Sequence, residues 1–135
     1  MIKTVNRPIH KGLNTLALFL FLAASMTVAI YSLVPSSSVG VETSDKIMHF
    51  IAYGGLAGLL LLARPVLSLW RVFLMISAIG IALEIAQGLA PTGRTASIFD
   101  QIANSCGAAL AIMVWIGLAP FIHKLWQGLE NRFNA

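Results

Sequence analysis

Ionisable and amide side chains occur inside stretches of this sequence that are otherwise apolar. Asp45, His49 and Tyr53 follow one another at intervals of four residues, so on a helix they share one face. Glu84 lies in a later apolar stretch, and Gln87 follows it three residues on. Carboxylates and imidazoles are the usual groups of general acid–base catalysis. If the protein is an enzyme, we therefore predict that Glu84, His49 and Asp45 are its catalytic residues.

A second set of polar residues has the chemistry to hold a ligand. Lys46 and Arg94 supply positive charge, and Asp100 and Asn104 stand one helical turn apart near the start of the last apolar stretch. Cationic side chains and helix N-termini both bind anionic groups such as phosphate. We predict a substrate-binding set that consists of Lys46, Arg94, Gln87, Asp100, Asn104 and Tyr53.

These residues also have structural interpretations. Ser97 and Asp100 have the spacing of a capping box, in which the acid stabilises the start of a helix. Asn104 would form a hydrogen bond between packed helices, as polar residues in membrane helices often do. His49 would donate a hydrogen bond to Glu84 and tie two helices together. All of these interpretations stay open beside the functional ones.

The sequence contains no common motif for a metal, a cofactor or a nucleophile. It has no His-Glu-x-x-His, no Gly-x-Ser-x-Gly and no glycine-rich phosphate loop. A metal held by His49, Glu84 and Asp100 would have a single imidazole ligand, so we predict neither a metal site nor a cofactor. Cys106 is the one cysteine and cannot form a disulfide within the chain.

The elements that must position these residues are apolar helices. Hydrophobic residues make up 58% of the 135 residues and charged residues 10%, and the mean hydropathy is +0.84. A soluble domain has about 25% charged residues, so a water-soluble globular enzyme and a disordered chain are both excluded. We predict a single all-α domain over residues 1–135, a polytopic transmembrane bundle of four helices at about 13–34, 45–63, 69–90 and 97–121.

Positive charge is distributed unevenly among the segments that flank these stretches. Three basic residues precede the first stretch, whereas the loop after it contains only Lys46. Under the positive-inside rule both termini are cytoplasmic, and the connections near 42–46 and 91–97 face outward. The tail after 121 places apolar residues at helical spacing, which predicts a short amphipathic segment at the inner interface. The net charge of +4 fits this orientation, and no nucleic-acid partner is predicted.

Depth along the helices brings the polar residues to one level. At a rise of about 1.5 Å per residue, His49 lies about 8 Å inside its stretch, Glu84 about 9 Å and Asn104 about 10 Å. The helix ends from which these depths are measured are all predicted to face outward. Polar side chains in a membrane usually face a bundle interior or a wet cavity. We therefore predict one shared polar pocket that opens toward the outer leaflet.

Three segments of the sequence resemble motifs of the VanZ-like family of small bacterial membrane proteins. Residues 45–54, DKIMHFIAYG, are similar to its D-K-x-x-H-F…Y block, and residues 84–87, EIAQ, to its E-x-x-Q. Residues 94–107 are similar to its R-x-x-S/D…D-x-x-x-N-x-x-G block. The resemblance covers roughly residues 42–118, and its signature positions are Asp45, Lys46, His49, Glu84, Gln87, Arg94, Asp100 and Asn104.

The resemblance implies a multi-pass protein of the bacterial cytoplasmic (inner) membrane and thus of the cell envelope. The family is named after an accessory factor of glycopeptide antibiotic resistance that raises tolerance to teicoplanin. The biochemical activity of its members is poorly defined. The resemblance therefore assigns no catalytic residue and leaves open whether the protein is an enzyme.

Two functions are compatible with these observations. In the first, the pocket binds or processes an anionic lipid-linked head group, for instance a phosphate-bearing cell-wall precursor, among the membrane lipids. In the second, the protein is a non-catalytic assembly or scaffold protein that associates with itself or with another membrane protein. Its buried polar residues are then interhelical ties. Small residues at helical spacing predict close helix packing in either case, namely Gly54, Gly58, Gly107, Ala78 and Ala82.

Overall fold

In the computed structural model, residues 8–34, 42–91, 93 and 95–133 are described, and within them the chain forms helices and no strand. The helices are α1 (Pro8–Ser32), α2 (Glu42–Ala63), α3 (Leu69–Leu89) and α4 (Ile98–Phe133). Each contains a segment long and apolar enough to span a membrane: Gly12–Ser32, Asp45–Ala63, Leu69–Leu89 and Ile98–Ile122. The prediction of an all-α protein with four such helices is confirmed, and the predicted spans agree with these bounds to within two residues.

Proline and serine residues mark where the helices begin and end. Pro8 is the first residue of α1, a position that needs no backbone N–H. The hydroxyl of Ser68 accepts the N–H of Arg71 and caps the start of α3 at 3.4 Å. Pro65 and Pro91 follow the ends of α2 and α3, because the residue before a proline disfavours helical backbone angles. These signals are local, which is why the sequence predicts the bounds so closely.

The C-terminal tail is helical and continuous with α4. Helix α4 has 36 residues and continues through Pro120 to Phe133, which gives a length of about 54 Å at 1.5 Å per residue. The hydrocarbon core of a bilayer is about 30 Å thick, so α4 extends well beyond it. The tail is therefore the last turns of α4 rather than a separate helix. Most side chains after Ile122 lie outside those described, and their interfacial placement stays a prediction.

Helix α2 is the centre of the bundle. It packs against α1, α3 and α4, and its interface with α4 is the most extensive. At the crossing of α2 and α4, a Cβ on Gly107 would overlap the backbone carbonyl of Phe50, and a Cβ on Gly54 would lie 3.2 Å from the carbonyl oxygen of Gly107. The predicted close packing is thus present at Gly54 and Gly107. It is not made by Ala78 and Ala82, which lie on an exposed face of α3.

The apolar side chains divide between a small core and an exposed outer face. The core is centred on α2 and α3, where Leu56, Leu61, Val72 and Ile76 are fully buried. Many other large apolar side chains on all helices are exposed on the outside of the bundle. Such a surface is unsuitable for water but matches hydrocarbon, which agrees with a bundle embedded in a membrane.

The buried polar side chains collect at one end of the bundle. Helices α1 and α3 finish there and α2 and α4 begin there, since the amide of Gln87 reaches the carbonyl of Ser32 and the side chain of His49 reaches that of Asn104. We call this region the polar end. The buried polar and charged residues are Ser32, His49, Glu84, Gln87, Asp100 and Asn104.

Candidate functional site

His49 lies at the centre of the polar end. Its Nδ1 is 3.0 Å from Oδ1 of Asn104 on α4. Its Nε2 is 3.9 Å from Oδ1 of Asp45, one turn earlier on α2, and 4.0 Å from Oδ2 of Asp100 on α4. The side chains of His49 and Asp100 are each only 9% exposed. Four residues predicted for the site are thus brought together from two helices that are separated in sequence.

Lys46 connects this centre to the surface of the bundle. Its Nζ donates a hydrogen bond to Oδ1 of Asp100 at 3.2 Å, while 46% of its side chain is exposed. The two oxygens of Asp100 therefore face different partners, Oδ1 the ammonium of Lys46 and Oδ2 the imidazole of His49. Lys46 is the accessible cationic group of the described site.

Glu84 is held at the start of α4. Its Oε2 accepts the backbone N–H of Ser97 at 2.6 Å, and the hydroxyl of Ser97 accepts the N–H of Asp100 at 3.3 Å. The predicted capping box is therefore half right. Ser97 caps the helix as expected. The backbone N–H of Ser97, however, is accepted by Glu84 of α3 and not by Asp100. The carboxylate of Asp100 is left to face Lys46.

The expected hydrogen bond from His49 to Glu84 is wrong. The two ring nitrogens of His49 face Asn104, Asp45 and Asp100. Glu84 lies instead at the start of α4, where its carboxylate accepts the N–H of Ser97. The buried carboxylate of Glu84 therefore has a structural partner, and its predicted catalytic role stays a prediction.

Gln87 also has a structural partner. It is 2% exposed, and its Nε2 donates to the backbone carbonyl of Ser32 at 2.9 Å. Ser32 is the last residue of α1, where carbonyls lack partners within the helix. The side chain of Gln87 therefore caps α1 from α3. This contact accounts for its burial without a bound ligand.

Tyr53 is enclosed below His49. Its side chain is 1% exposed, and its ring stacks on the imidazole with centroids 6.2 Å apart. Its hydroxyl is buried and has no hydrogen-bond partner among the described residues. The ring occupies space left by Gly80 of α3, where an added Cβ would be 3.2 Å from Cε1 of Tyr53 and 2.6 Å from Oε1 of Gln101. Tyr53 therefore shapes the floor of the site.

Gln101 and Gly80 belong to the site but are absent from the predicted set. Nε2 of Gln101 donates to the backbone carbonyl of Ser77 and to the hydroxyl of Ser105, each at 3.4 Å. Its Oε1 accepts from Nδ2 of Asn104 at 3.5 Å. Its position three residues before Asn104 in an apolar stretch was a signal that could have found it. The sequence contains no such signal for Gly80, because its role depends on the side chains of Tyr53 and Gln101 that pack against it in the folded structure.

The placement of Arg94 lies outside the described residues. Its neighbour Gly93 has a backbone φ of 71°, a left-handed conformation that glycine adopts without strain. This turn joins α3 to α4 at the polar end. The predicted role of Arg94 in binding an anion therefore stays a prediction.

An apolar groove lies between α2 and α4 beside this polar centre. It has a volume of about 450 Å³. On α2 it is lined by Phe50, Gly54 and Gly58, which follow Lys46 at intervals of one helical turn. On α4 it begins at Gly107, two turns after Asp100. The groove therefore begins below the Lys46–Asp100 pair and continues along the helices to Leu118 and Ile122.

Three side chains of the site have the atoms to ligate a metal ion. A nitrogen of His49 and one carboxylate oxygen each of Asp45 and Asp100 all lie within 4.8 Å of one another. The set differs from the one considered from the sequence, since Asp45 takes the place of Glu84. Carboxylate oxygen and imidazole nitrogen are both common ligands of divalent metals.

Comparison with known proteins gives one finding. Neither the curated proteins nor the solved structures include a match to the chain. The sequence model of the VanZ/LLP1 family matches residues 9–122, from the start of α1 to the end of the membrane-spanning part of α4. The match includes α1, for which the resemblance in sequence rested on hydropathy alone. It covers most of the 135 residues, so the chain belongs to the VanZ/LLP1 family.

Proposed function

We propose that this protein binds an anionic lipid of the cell envelope between α2 and α4. The head group, a phosphate carried on a lipid, lies at Lys46, and an acyl chain lies in the apolar groove. The observation that carries the proposal is the position of the half-exposed Lys46 one helical turn before Phe50, where the lining of the groove on α2 begins. A lipid has the same arrangement, with a charged group on top of an apolar chain.

The head-group end of the site supplies positive charge. Lys46 donates to a single oxygen of Asp100, and nearly half of its side chain is exposed. An ammonium has three N–H donors, so a phosphate can bind Lys46 while its hydrogen bond to Asp100 is kept. The N-termini of α2 and α4 lie at this end, and the positive ends of their helix dipoles favour an anion. We expect Arg94, in the adjoining turn, to add a second cation.

The groove supplies the apolar end of the site. Glycines at positions 54, 58 and 107 leave its floor without side chains, while Phe50 and Trp115 form parts of its walls. In a membrane this face of the bundle borders the hydrocarbon, so a lipid chain enters it without crossing a polar region. Burial of the chain against fixed side chains adds dispersion contacts that fluid lipid does not provide.

The proposal also specifies the membrane, the side of it that the polar end faces and the class of lipid. The family membership and the distribution of positive charge support the cytoplasmic membrane of a bacterium with the polar end outward. The bound lipid is then a phosphate-bearing precursor of the envelope. A link to teicoplanin tolerance is suggested by the family, which is named after a factor that raises this tolerance. His49, Asp45 and Glu84 are the groups that would process the head group, in which case Glu84→Gln abolishes turnover and leaves lipid binding intact.

The test is lipid binding by the purified full-length chain in detergent, measured by native mass spectrometry with phosphatidylglycerol as the probe. We expect Lys46→Met to weaken binding about 10-fold, the equivalent of about 1.4 kcal/mol. Lys124→Met is the matched control, because Lys124 is also exposed but lies on α4 far from the polar end. Equal affinity of wild type and Lys46→Met would refute the proposal.

A second pair of variants tests the groove. Gly58→Leu fills it, and Gly55→Leu places the same side chain on a neighbouring face outside it. An added Cβ meets nothing within 4 Å at either position, so both variants should fold. We expect weaker phosphatidylglycerol binding in Gly58→Leu alone. Equal phosphatidylglycerol binding by the two variants would contradict the proposal that the acyl chain lies in the groove.

The assembly function is the second candidate, and two observations favour it. Several buried polar residues pair between helices, as Gln87 does with Ser32 and His49 with Asn104. The small residues Ala78 and Ala82 form an exposed stripe on α3, which would allow another helix to approach closely. If this function is correct, Ala82→Leu changes the oligomeric state, Ile81→Leu does not, and lipid binding is insensitive to Lys46→Met.

A further inference from the structure

A series of amide groups fixes the orientation of the His49 ring. The backbone carbonyl of Ser77 can only accept, so the NH₂ group of Gln101 must face it. Oε1 of Gln101 then faces Asn104 and accepts from its Nδ2. Asn104 in turn directs Oδ1 at the imidazole, and Nδ1 of His49 must be the donor of the 3.0 Å hydrogen bond. The carbonyl of Ser77 thus determines the orientation of the Gln101 amide, which determines that of Asn104 and, through it, the protonated nitrogen of His49.

In a neutral imidazole, this orientation directs the electron pair of His49 toward two carboxylates. When Nδ1 of a neutral imidazole carries the proton, Nε2 carries the lone pair. Nε2 of His49 faces Oδ1 of Asp45 at 3.9 Å and Oδ2 of Asp100 at 4.0 Å. Hydrogen bonds between such atoms are about 2.7–3.2 Å long, so these atoms are too far apart for direct bonds. Three electron-rich atoms therefore surround a gap that a cation would stabilise.

We propose that Asp45, His49 and Asp100 bind a divalent metal ion, Zn²⁺ or Mn²⁺, through these three atoms. Such ions lie about 2.0–2.2 Å from nitrogen and oxygen ligands, so two ligands of one ion are at most about 4.4 Å apart. The distances from Nε2 of His49 satisfy this limit. The carboxylate oxygens of Asp45 and Asp100 lie within 4.8 Å of each other, so a small side-chain movement brings all three ligands to one ion. Mixed imidazole and carboxylate ligands suit both ions. Three ligands leave further coordination positions for water, and Asp45 is 29% exposed.

Asn104 and Gln101 are the positioning residues of this site. A ligating histidine usually donates its other ring N–H to a fixed acceptor, which holds the ring and selects the ligating nitrogen. Oδ1 of Asn104 is this acceptor, and Gln101 prevents the amide of Asn104 from turning over. The amide series therefore has a function that a simple tie between helices would not require.

Lys46 makes the metal site distinguishable from the lipid site. It donates to Oδ1 of Asp100, while Oδ2 faces His49. Its positive charge repels a metal ion but attracts a phosphate. Lys46→Met should therefore strengthen metal binding and weaken lipid binding. The metal inference does not rest on the proposed function, and either can fail alone.

The experiment measures Mn²⁺ and Zn²⁺ binding to the full chain, purified in a maltoside detergent and treated with a chelator. The electron paramagnetic resonance signal of free Mn²⁺ gives the number of sites and the affinity, and Zn²⁺ is tested by competition. We expect one site in the wild type. Asp45→Asn should weaken it at least 10-fold, because it removes a charged ligand, and circular dichroism checks that the variant keeps its helices. Glu130→Gln removes the same charge about 45 Å along α4 from Asp100 and should leave the affinity unchanged.

Two further measurements test the ligand and its orientation. Spin-echo modulation of bound Mn²⁺ by ¹⁴N identifies an imidazole ligand and should vanish in His49→Ala. Asn104→Ala keeps all three ligands but frees the ring, and should weaken binding about 10–100-fold. The proposal is overturned if the wild type binds neither ion, if Asp45→Asn binds as tightly as wild type, or if bound Mn²⁺ shows no ¹⁴N modulation.

Discussion

At the scale of single residues, the contact between Glu84 and Ser97 shows what a buried charge contributes to this protein. The carboxylate accepts a backbone N–H at 2.6 Å, at the first turn of α4. A negative charge at a helix N-terminus interacts favourably with the helix dipole, and a charge-assisted hydrogen bond is stronger than a neutral one. One side chain of α3 thus stabilises the start of another helix and fixes the distance between the two.

Substitution of Glu84 tests this role. We expect Glu84→Leu to lower the free energy of unfolding by about 1–3 kcal/mol, because the N–H of Ser97 loses its partner in a partly buried position. Glu84→Gln should lower the free energy of unfolding by less than half as much as Glu84→Leu does, since the amide oxygen of the glutamine still accepts the hydrogen bond. Unfolding in sodium dodecyl sulfate, followed by circular dichroism, measures both. Equal stability of Glu84→Leu and wild type would contradict the capping role.

At the scale of the elements, the crossing of α2 and α4 decides which residues meet. Gly54 and Gly107 allow the two backbones to touch, as the overlap of a Gly107 Cβ with the carbonyl of Phe50 shows. Five residues before Gly54 is His49, and three residues before Gly107 is Asn104. The close approach therefore brings these two side chains within hydrogen-bond distance. The small residues and the polar site are parts of one arrangement.

Gly107→Ala tests the crossing. The new methyl group cannot fit against the backbone of Phe50, so the helices must separate, and overpacking of this kind costs about 1–3 kcal/mol. Gly117→Ala on the same helix is the control, because a Cβ there meets nothing within 4 Å. Gly117→Ala should be as stable as wild type or more stable by about 0.5–1 kcal/mol, because alanine favours a helix more than glycine does. If both variants behave alike in thermal unfolding, the crossing is looser than the structure shows.

At the scale of the whole molecule, the two ends of the bundle have different chemistry. The polar end contains the ionisable residues of the site, with Asp45, His49, Glu84 and Asp100 among them. The opposite connection between α2 and α3 contains exposed Arg64 and no acid. The positive-inside rule predicts that this second connection is cytoplasmic and that the polar end faces outward. A bound lipid would therefore belong to the outer leaflet.

Labelling of single cysteines tests this orientation. In a Cys106→Ser background, Thr95→Cys places a thiol in the α3–α4 turn and Val66→Cys places one in the α2–α3 turn, both at exposed positions. A maleimide that cannot cross membranes should label Thr95→Cys in intact cells. It should reach Val66→Cys only after the membrane is permeabilised. The reverse pattern would place the site in the cytoplasmic leaflet and exclude an outward-facing pocket.

The sequence alone was sufficient for the helices and for the residues worth examining. Hydropathy and proline positions act over a few neighbouring residues, so the four spans were predicted to within two residues. Ionisable and amide side chains inside apolar stretches identified His49, Glu84, Asp100 and Asn104, all of which are buried. The motif blocks identified the family, and the match over residues 9–122 confirms it.

Only the tertiary structure decided which of these residues are partners. Glu84 accepts from Ser97 rather than contacting His49, and Asp45 joins His49 and Asp100. Hydrogen bonds and metal coordination depend on distances of a few tenths of an ångström and on direction. Those are set by how the helices rotate and cross, which depends on the backbone contact at Gly54 and Gly107. Periodicity along one helix contains no information about the rotation of its neighbour, so partners on different helices could not be predicted from it.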